Sequence, residues 1–222
     1  MDFIFMLTRN DRTVSDCLHV IDLIEPLGLR HIGFKDVGVT EASAGELVNR
    51  IKAGGATSYM EVVSTTPQAA DWSIRTAAKI GVDRVLGGQE IETAMQVLHA
   101  TGAGYYPFAG RPFGHPTKLA GSPEVIAEDC HRARAAGCSG VDLLAYRATD
   151  ADPLDLVAAA RAALDGGTLI VAGSIHSPAQ IRALAAAGVD AFTIGSSAFN
   201  GSFSADKGSL LSQLQDVLAA CA

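Results

Sequence analysis

The 222-residue chain is poor in charge, in cysteine and in long apolar runs. Charged side chains make up 18% of it and hydrophobic ones 48%, which excludes a disordered chain and fits one folded domain spanning residues 1–222. Seventeen basic residues against twenty-four acidic ones leave a net charge of -7. With no basic patch to interrupt that balance, nucleic acid and acidic membrane surfaces are not expected as partners. No apolar stretch approaches the ~18 residues of a membrane span. The apolar start from Phe3 to Leu7 follows Asp2 rather than a basic segment, so no signal peptide is expected and the protein reads as cytoplasmic. Cys17, Cys130, Cys138 and Cys221 lack metal-clamping spacing, and reduced thiols are expected. There is no H-E-x-x-H, and zinc is not expected.

What the chain has is a repeat. A short β-branched or aromatic run, a polar patch, an Ala/Leu-rich helical pattern and a glycine recur from end to end. The predicted strands are Phe3 to Thr8, His31 to Asp36, Ser58 to Val63, Arg84 to Leu86, Tyr105 to Phe108, Val141 to Tyr146, Leu169 to Ala172 and Ala191 to Ile194. Helix starts are marked by Thr66-Pro67, Ser122-Pro123, Asp152-Pro153 and Ser177-Pro178, where a side-chain oxygen can accept an orphan amide and proline is preset at the helical φ. Helix ends are marked by Gly28, Gly54, Gly81, Gly102, Gly137, Gly166 and Gly188, suited to a left-handed closing residue. Alternating βαβα order implies a parallel sheet, and eight units in this length imply an α/β chain folded as a single-domain (β/α)8 TIM barrel. An open doubly wound sheet is the alternative. It is disfavoured because Thr8-Arg9-Asn10-Asp11, after the first strand, holds no G-x-G-x-x-G.

Chemistry on a barrel of this kind sits at the carboxyl ends of the strands. Gly173-Ser174 ends the seventh strand and Gly195-Ser196-Ser197 ends the eighth. Glycines let backbone amides approach a ligand, serines add hydroxyls, and a helix start after strand eight favours an anion. A phosphate monoester fits these features, although Gly and Ser also make ordinary tight turns.

Residues 168–203 resemble the closing two units of the ribulose-phosphate-binding barrels, a superfamily that includes phosphoribosyl isomerases of histidine and tryptophan synthesis, the tryptophan synthase alpha chain, and decarboxylases and aldolases of phosphorylated sugars. The resemblance implies a phosphate held by Gly173, Ser174, Gly195, Ser196 and Ser197. The stretch Phe5-Met-Leu-Thr-Arg-Asn-Asp-Arg-Thr13 and Ile32-Gly-Phe-Lys-Asp36 are similar to the tryptophan synthase alpha chain, but that family's carboxylate in strand two is replaced here by Gly33 and Lys35, so its reaction is not carried over.

Side-chain alternation supplies candidate reacting groups. If Ile32 and Phe34 pack outward, then His31, Gly33 and Lys35 point inward; on the next strand Met60 and Val62 go outward while Tyr59 and Glu61 go inward. Lys35 and Glu61 are then neighbours. Lys35 as a nucleophile forms a Schiff base and assists carbon-carbon cleavage, which requires the neutral amine. As an ammonium it polarises a carbonyl while Glu61 moves protons. The alternative is a buried salt bridge holding two strands in register.

Asn10, Arg111 and Arg147 are candidate substrate contacts. The long polar segment Ala109 to Gly121 reads as an irregular lid whose Arg111, His115 and Lys118 close over an anion. Asp36 is expected outward or in the loop. Mg²⁺ is compatible with Glu61 and Asp36, although no motif requires it and no other cofactor is indicated. The leading expectation is a lyase of the aldolase type acting on a phosphorylated sugar or keto acid. The alternatives are an isomerase or epimerase and a non-catalytic phosphoester-binding barrel. A homo-oligomer is compatible with all three.

Overall fold

Each strand carries two apolar faces, because a barrel strand is covered by helices on one side and by other strands' side chains on the other. The computed structural model describes residues 1–221. Among these residues, eight parallel strands form one sheet: β1 (Asp2–Met6), β2 (His31–Lys35), β3 (Thr57–Val62), β4 (Arg84–Gly87), β5 (Gly104–Tyr106), β6 (Gly140–Leu143), β7 (Thr168–Val171) and β8 (Ala191–Ile194). Strand neighbours run β6-β7-β8-β1-β2-β3-β4-β5. The two ends of that row then meet. Ser139 N donates to Tyr105 O at 2.9 Å, Asp142 N to Pro107 O at 2.9 Å and Ala109 N to Asp142 O at 3.2 Å, which closes a (β/α)8 barrel.

The helices are α1 (Cys17–Ile24), α2 (Glu41–Ala53), α3 (Pro67–Ile80), α4 (Ile91–Leu98), α5 (Pro123–Ala135), α6 (Pro153–Leu164), α7 (Pro178–Ala186), α8 (Ser196–Phe199) and α9 (Leu210–Cys221). The expected eight are joined by a further short one, α8, directly after β8. None of the described helices is long and apolar enough to cross a membrane.

The core divides as strand alternation requires. Ile4, Met6, Tyr59, Leu86, Tyr106, Ile170 and Ala191 fill the barrel interior as one cluster. Phe3, Phe5, Phe34, Met60, Val85, Val141 and Phe192 belong to the larger layer between strands and helices. Phe3 and Phe192 stack there with centroids 5.4 Å apart.

Several local expectations change. Thr66, Asp152 and Ser177 cap their helices through the side chain, whereas Ser122 makes no such bond. After α2 the chain reverses at Gly55, with φ 79°, rather than at Gly54. Strand β6 ends at Leu143, three residues early, because Ala145–Arg147 form a 3₁₀ turn. The segment expected to be irregular contains an antiparallel hairpin, Arg111–Phe113 with Lys118–Ala120. A second hairpin, Thr8–Arg9 with Arg12–Thr13, follows β1. Its two turn residues, Asn10 and Asp11, have φ of 51° and 56°. Two successive left-handed residues are what a type I′ turn demands, and Asn and Asp tolerate them better than most residues.

Candidate active site

Parity on β2 and β3 brings two charged side chains into the upper barrel. Lys35 and Glu61 are register partners across the two strands, and Lys35 Nζ lies 3.1 Å from Glu61 Oε2. Both are buried. The hairpin turn after β1 adds a third group, since Lys35 Nζ also donates to Asp11 Oδ1 at 2.9 Å.

Asp11 is the hub of the cluster. Arg147 donates to it twice, from Nη1 to Oδ2 at 2.6 Å and from Nη2 to Oδ1 at 2.9 Å, and the Thr117 backbone amide donates to Oδ2 at 2.7 Å. Arg147 Nη1 also donates to Thr117 O at 2.9 Å. The second hairpin is thereby clipped to the first across the barrel mouth. Burial works against ionising Asp11, but the hydrogen bonds and charges of Arg147 and Lys35 outweigh it. They hold this carboxyl well below the usual carboxylate range.

Asp142 behaves in the opposite way. It projects from β6 into the interior and is fully buried, and neither of its carboxyl oxygens has a hydrogen-bond partner among the described residues. Burial, reinforced by the negative charge of Glu61, pushes its pKa well above the ordinary value despite the pull of Lys35 and Arg147. Glu61 Oε1 likewise has no partner.

Asp11, Lys35, Glu61 and Arg147 form one wall of a cavity of about 590 Å³ at the carboxyl ends of the strands, which Asp142 does not line. The other wall is made by the turns after β7 and β8, through Gly173, Ser174, Gly195, Ser196 and Ser197. Gly173 has φ 78° and Ser174 has φ 59°. A Cβ on Gly173 would stand 2.2 Å from Arg147 Nε, and one on Gly195 would stand 2.7 Å from Thr8 Oγ1, so glycine at both positions lets neighbouring groups approach the backbone. Ser197 Oγ donates to Ile175 O at 2.8 Å and ties the two turns together. Ser196 Oγ accepts from Asn10 N at 3.2 Å.

The structure thus brings Lys35, Glu61, Asn10, Arg147 and the five Gly and Ser residues to one cavity, together with Lys118. Arg111 is not among its lining residues. Its guanidinium faces Asp129 at 3.7 Å on the outer side of the hairpin, because strand alternation there turns Arg111 toward α5. His115 is exposed on the same hairpin and does not line the cavity either. Asp36 and Glu61 are not brought together. Asp36 accepts from Val63 N at 2.9 Å and from Ser73 Oγ at 2.8 Å, on the helix side of the sheet, so the pair considered for Mg²⁺ is split by strand parity. Among the described residues no group of three or more His, Cys, Asp or Glu side chains is arranged to hold a metal ion.

Two members of the cluster, Asp11 and Asp142, escaped the reading of the sequence. The signal for Asp142 was present: on β6, Val141 and Leu143 alternate with it exactly as Phe34 alternates with Lys35, so the same parity rule turns it inward. Asp11 sits in a turn, where alternation says nothing.

The fold is shared with solved structures of low sequence similarity. Orotidine 5′-phosphate decarboxylase from Pyrococcus horikoshii OT3 matches with a TM-score of 0.68 at 11% identity, over 99% of this chain and 98% of that one. The native KDPGal structure matches with a TM-score of 0.69 at 13% identity, over 99% and 96%. N-acetylmannosamine-6-phosphate 2-epimerase from Clostridium perfringens matches with a TM-score of 0.64 at 11% identity, over 88% and 86%. No protein-family model and no curated protein sequence matches the chain. The class defined by the fold is therefore the (β/α)8 barrel.

Proposed function

We propose that this chain is an enzyme that moves a proton next to a carbonyl group in a small phosphorylated molecule, an isomerase or epimerase. The observation that carries this reading is the position of Lys35, facing the cavity with Nζ 2.9 Å from Asp11 and 3.1 Å from Glu61. A lysine paired with two carboxylates acts as an ammonium, a hydrogen-bond donor to negative oxygen. In this mechanism the Glu61 carboxylate, which lines the cavity, takes a proton from the carbon beside the carbonyl. The C–H electrons become the C=C bond of an enediolate, and the carbonyl oxygen takes up the charge and receives the Lys35 hydrogen bond. Return of the proton by Glu61 to the neighbouring carbon, with the hydroxyl proton passing between the two oxygens, completes an isomerisation; delivery of a proton to the opposite face by a second acid completes an epimerisation. The Gly and Ser turns after β7 and β8 hold the phosphate on the other wall. Two of the solved structures sharing the fold are named for phosphorylated compounds, a decarboxylase and an epimerase, and this favours a phosphate ligand by analogy.

A second reading keeps the same cavity and makes the protein an aldolase-type lyase, with Lys35 forming an imine. It is favoured by Lys35 lining the cavity with Nζ 3.1 Å from Glu61 Oε2, an oxygen that can take the ammonium proton. Incubation with a panel of keto sugar phosphates in D₂O, followed by borohydride, tests both. Deuterium entering the carbon next to the carbonyl, without an adduct, supports the isomerase or epimerase. A borohydride-dependent mass increase on Lys35 supports the lyase. Thermal stabilisation by sugar phosphates with neither exchange nor adduct overturns both in favour of a non-catalytic phosphoester-binding barrel.

A further inference from the structure

The upper interior of the barrel holds five ionisable groups, two bases and three acids. Lys35 and Arg147 are the bases; Asp11, Glu61 and Asp142 are the acids. If all five were ionised the cluster would carry one uncompensated negative charge in a buried setting, a costly arrangement. One retained proton brings it to neutrality, and the hydrogen bonds say where that proton sits. Asp11 accepts from Lys35, from Arg147 twice and from the Thr117 amide. Glu61 is paired with Lys35. The Asp142 carboxyl accepts from nothing.

We propose that Asp142 holds this single proton in the resting protein and so keeps Glu61 the ionised member of the two facing carboxyls. Asp142 does not line the cavity, so it is a positioning residue acting through Glu61. Its surroundings are consistent from every side. The charged groups acting on it are Glu61 from β3, Lys35 from β2 and Arg147 from the turn after β6. Ile170 stands at the same register on β7. Tyr106 on β5 has its hydroxyl engaged by Arg84. None of these donates to Asp142, so the proton that neutralises it must be its own. Raising the pH until Asp142 ionises places a second negative charge beside Glu61 with no donor for it.

That Glu61 is the acid/base rests on the function proposed above, but the location of the proton can be tested without any substrate. Infrared spectra of the whole protein at pH 7 are expected to contain a protonated-carboxyl C=O band. The band should shift when aspartate is carboxyl-labelled with ¹³C, stay in place when glutamate is labelled, and disappear in Asp142→Asn. Should Asp142→Asn fail to fold, Asp142→Ser and the labelled wild type carry the same test. No such band at pH 7, or a band that moves with labelled glutamate, overturns the proposal. Once a substrate is in hand, the alkaline limb of kcat against pH should vanish in Asp142→Asn; an unchanged limb counts against the coupling to Glu61 while leaving the proton's location to the infrared result.

Discussion

Asp11 Oδ1 stands 2.9 Å from Lys35 Nζ and also 2.9 Å from Arg147 Nη2, so one carboxylate oxygen in a hairpin turn joins a strand lysine to an arginine on the far side of the barrel mouth. Removing Asp11 leaves the buried Lys35 and the half-buried Arg147 short of their shared partner. Asp11→Ala is expected to lose about 3–5 kcal/mol of stability at pH 7, the cost typical of breaking a buried pair from one side. Because the folded-state pKa of Asp11 is depressed, its contribution is present above about pH 4 and fades as the pH falls further. Urea denaturation of wild type and variant should therefore show a gap that narrows in acid. A gap independent of pH would argue that the carboxylate charge is not what matters.

Asp142 gives the opposite sign. Its proton is held more tightly in the folded state, so below about pH 4 it costs nothing, and as the pH rises the unfolded chain alone ionises and stability is drawn down. Asp142→Asn is expected to gain on the wild type by up to ~1.4 kcal/mol per pH unit above that point. Melting curves from pH 4 to 8 read this out. A constant difference between the two proteins would count against it.

Gly173 meets Arg147 at a distance that leaves no room for a methyl group, and its φ of 78° is unfavourable for alanine. Gly173→Ala is expected to cost about 1–3 kcal/mol and to displace Arg147 from Asp11. Against an Arg147→Ala background the penalty should shrink to the backbone strain alone. Full additivity in the double-mutant cycle would show that the two positions do not press on one another.

The wall between the seventh and eighth units can be separated from the reacting groups. Inorganic phosphate at a hundredfold excess over its Kd is expected to stabilise the wild type by about 2.7 kcal/mol. Ser196→Asp, which sets a carboxylate where the phosphate is to lie, should abolish that effect. In Glu61→Gln the stabilisation should survive while turnover falls by about 10²–10⁴. Loss of phosphate binding in Glu61→Gln would place the anion elsewhere.

Much of this architecture was legible because it depends on patterns that repeat along the chain. Strands and helices alternate with distinct periods, so eight units can be counted, and parity on β2 and β3 sets Lys35 beside Glu61 from the sequence alone. Parity fails where a residue leaves the strand. Arg111 lies in a hairpin whose own alternation turns it toward Asp129, and Asp11 lies in a two-residue turn whose direction follows from positive φ values.

The amino-acid sequence by itself determined the barrel, the inward sets of β2 and β3 and the glycine-rich turns after β7 and β8, since these follow from local periodicity and the steric freedom of single residues. Only the tertiary structure decided how the charges are shared. The partners of Asp11 lie 24, 106 and 136 positions away along the chain, and the isolation of Asp142 is a property of what surrounds it. Burial and hydrogen bonding act through space, and no spacing along a chain encodes them.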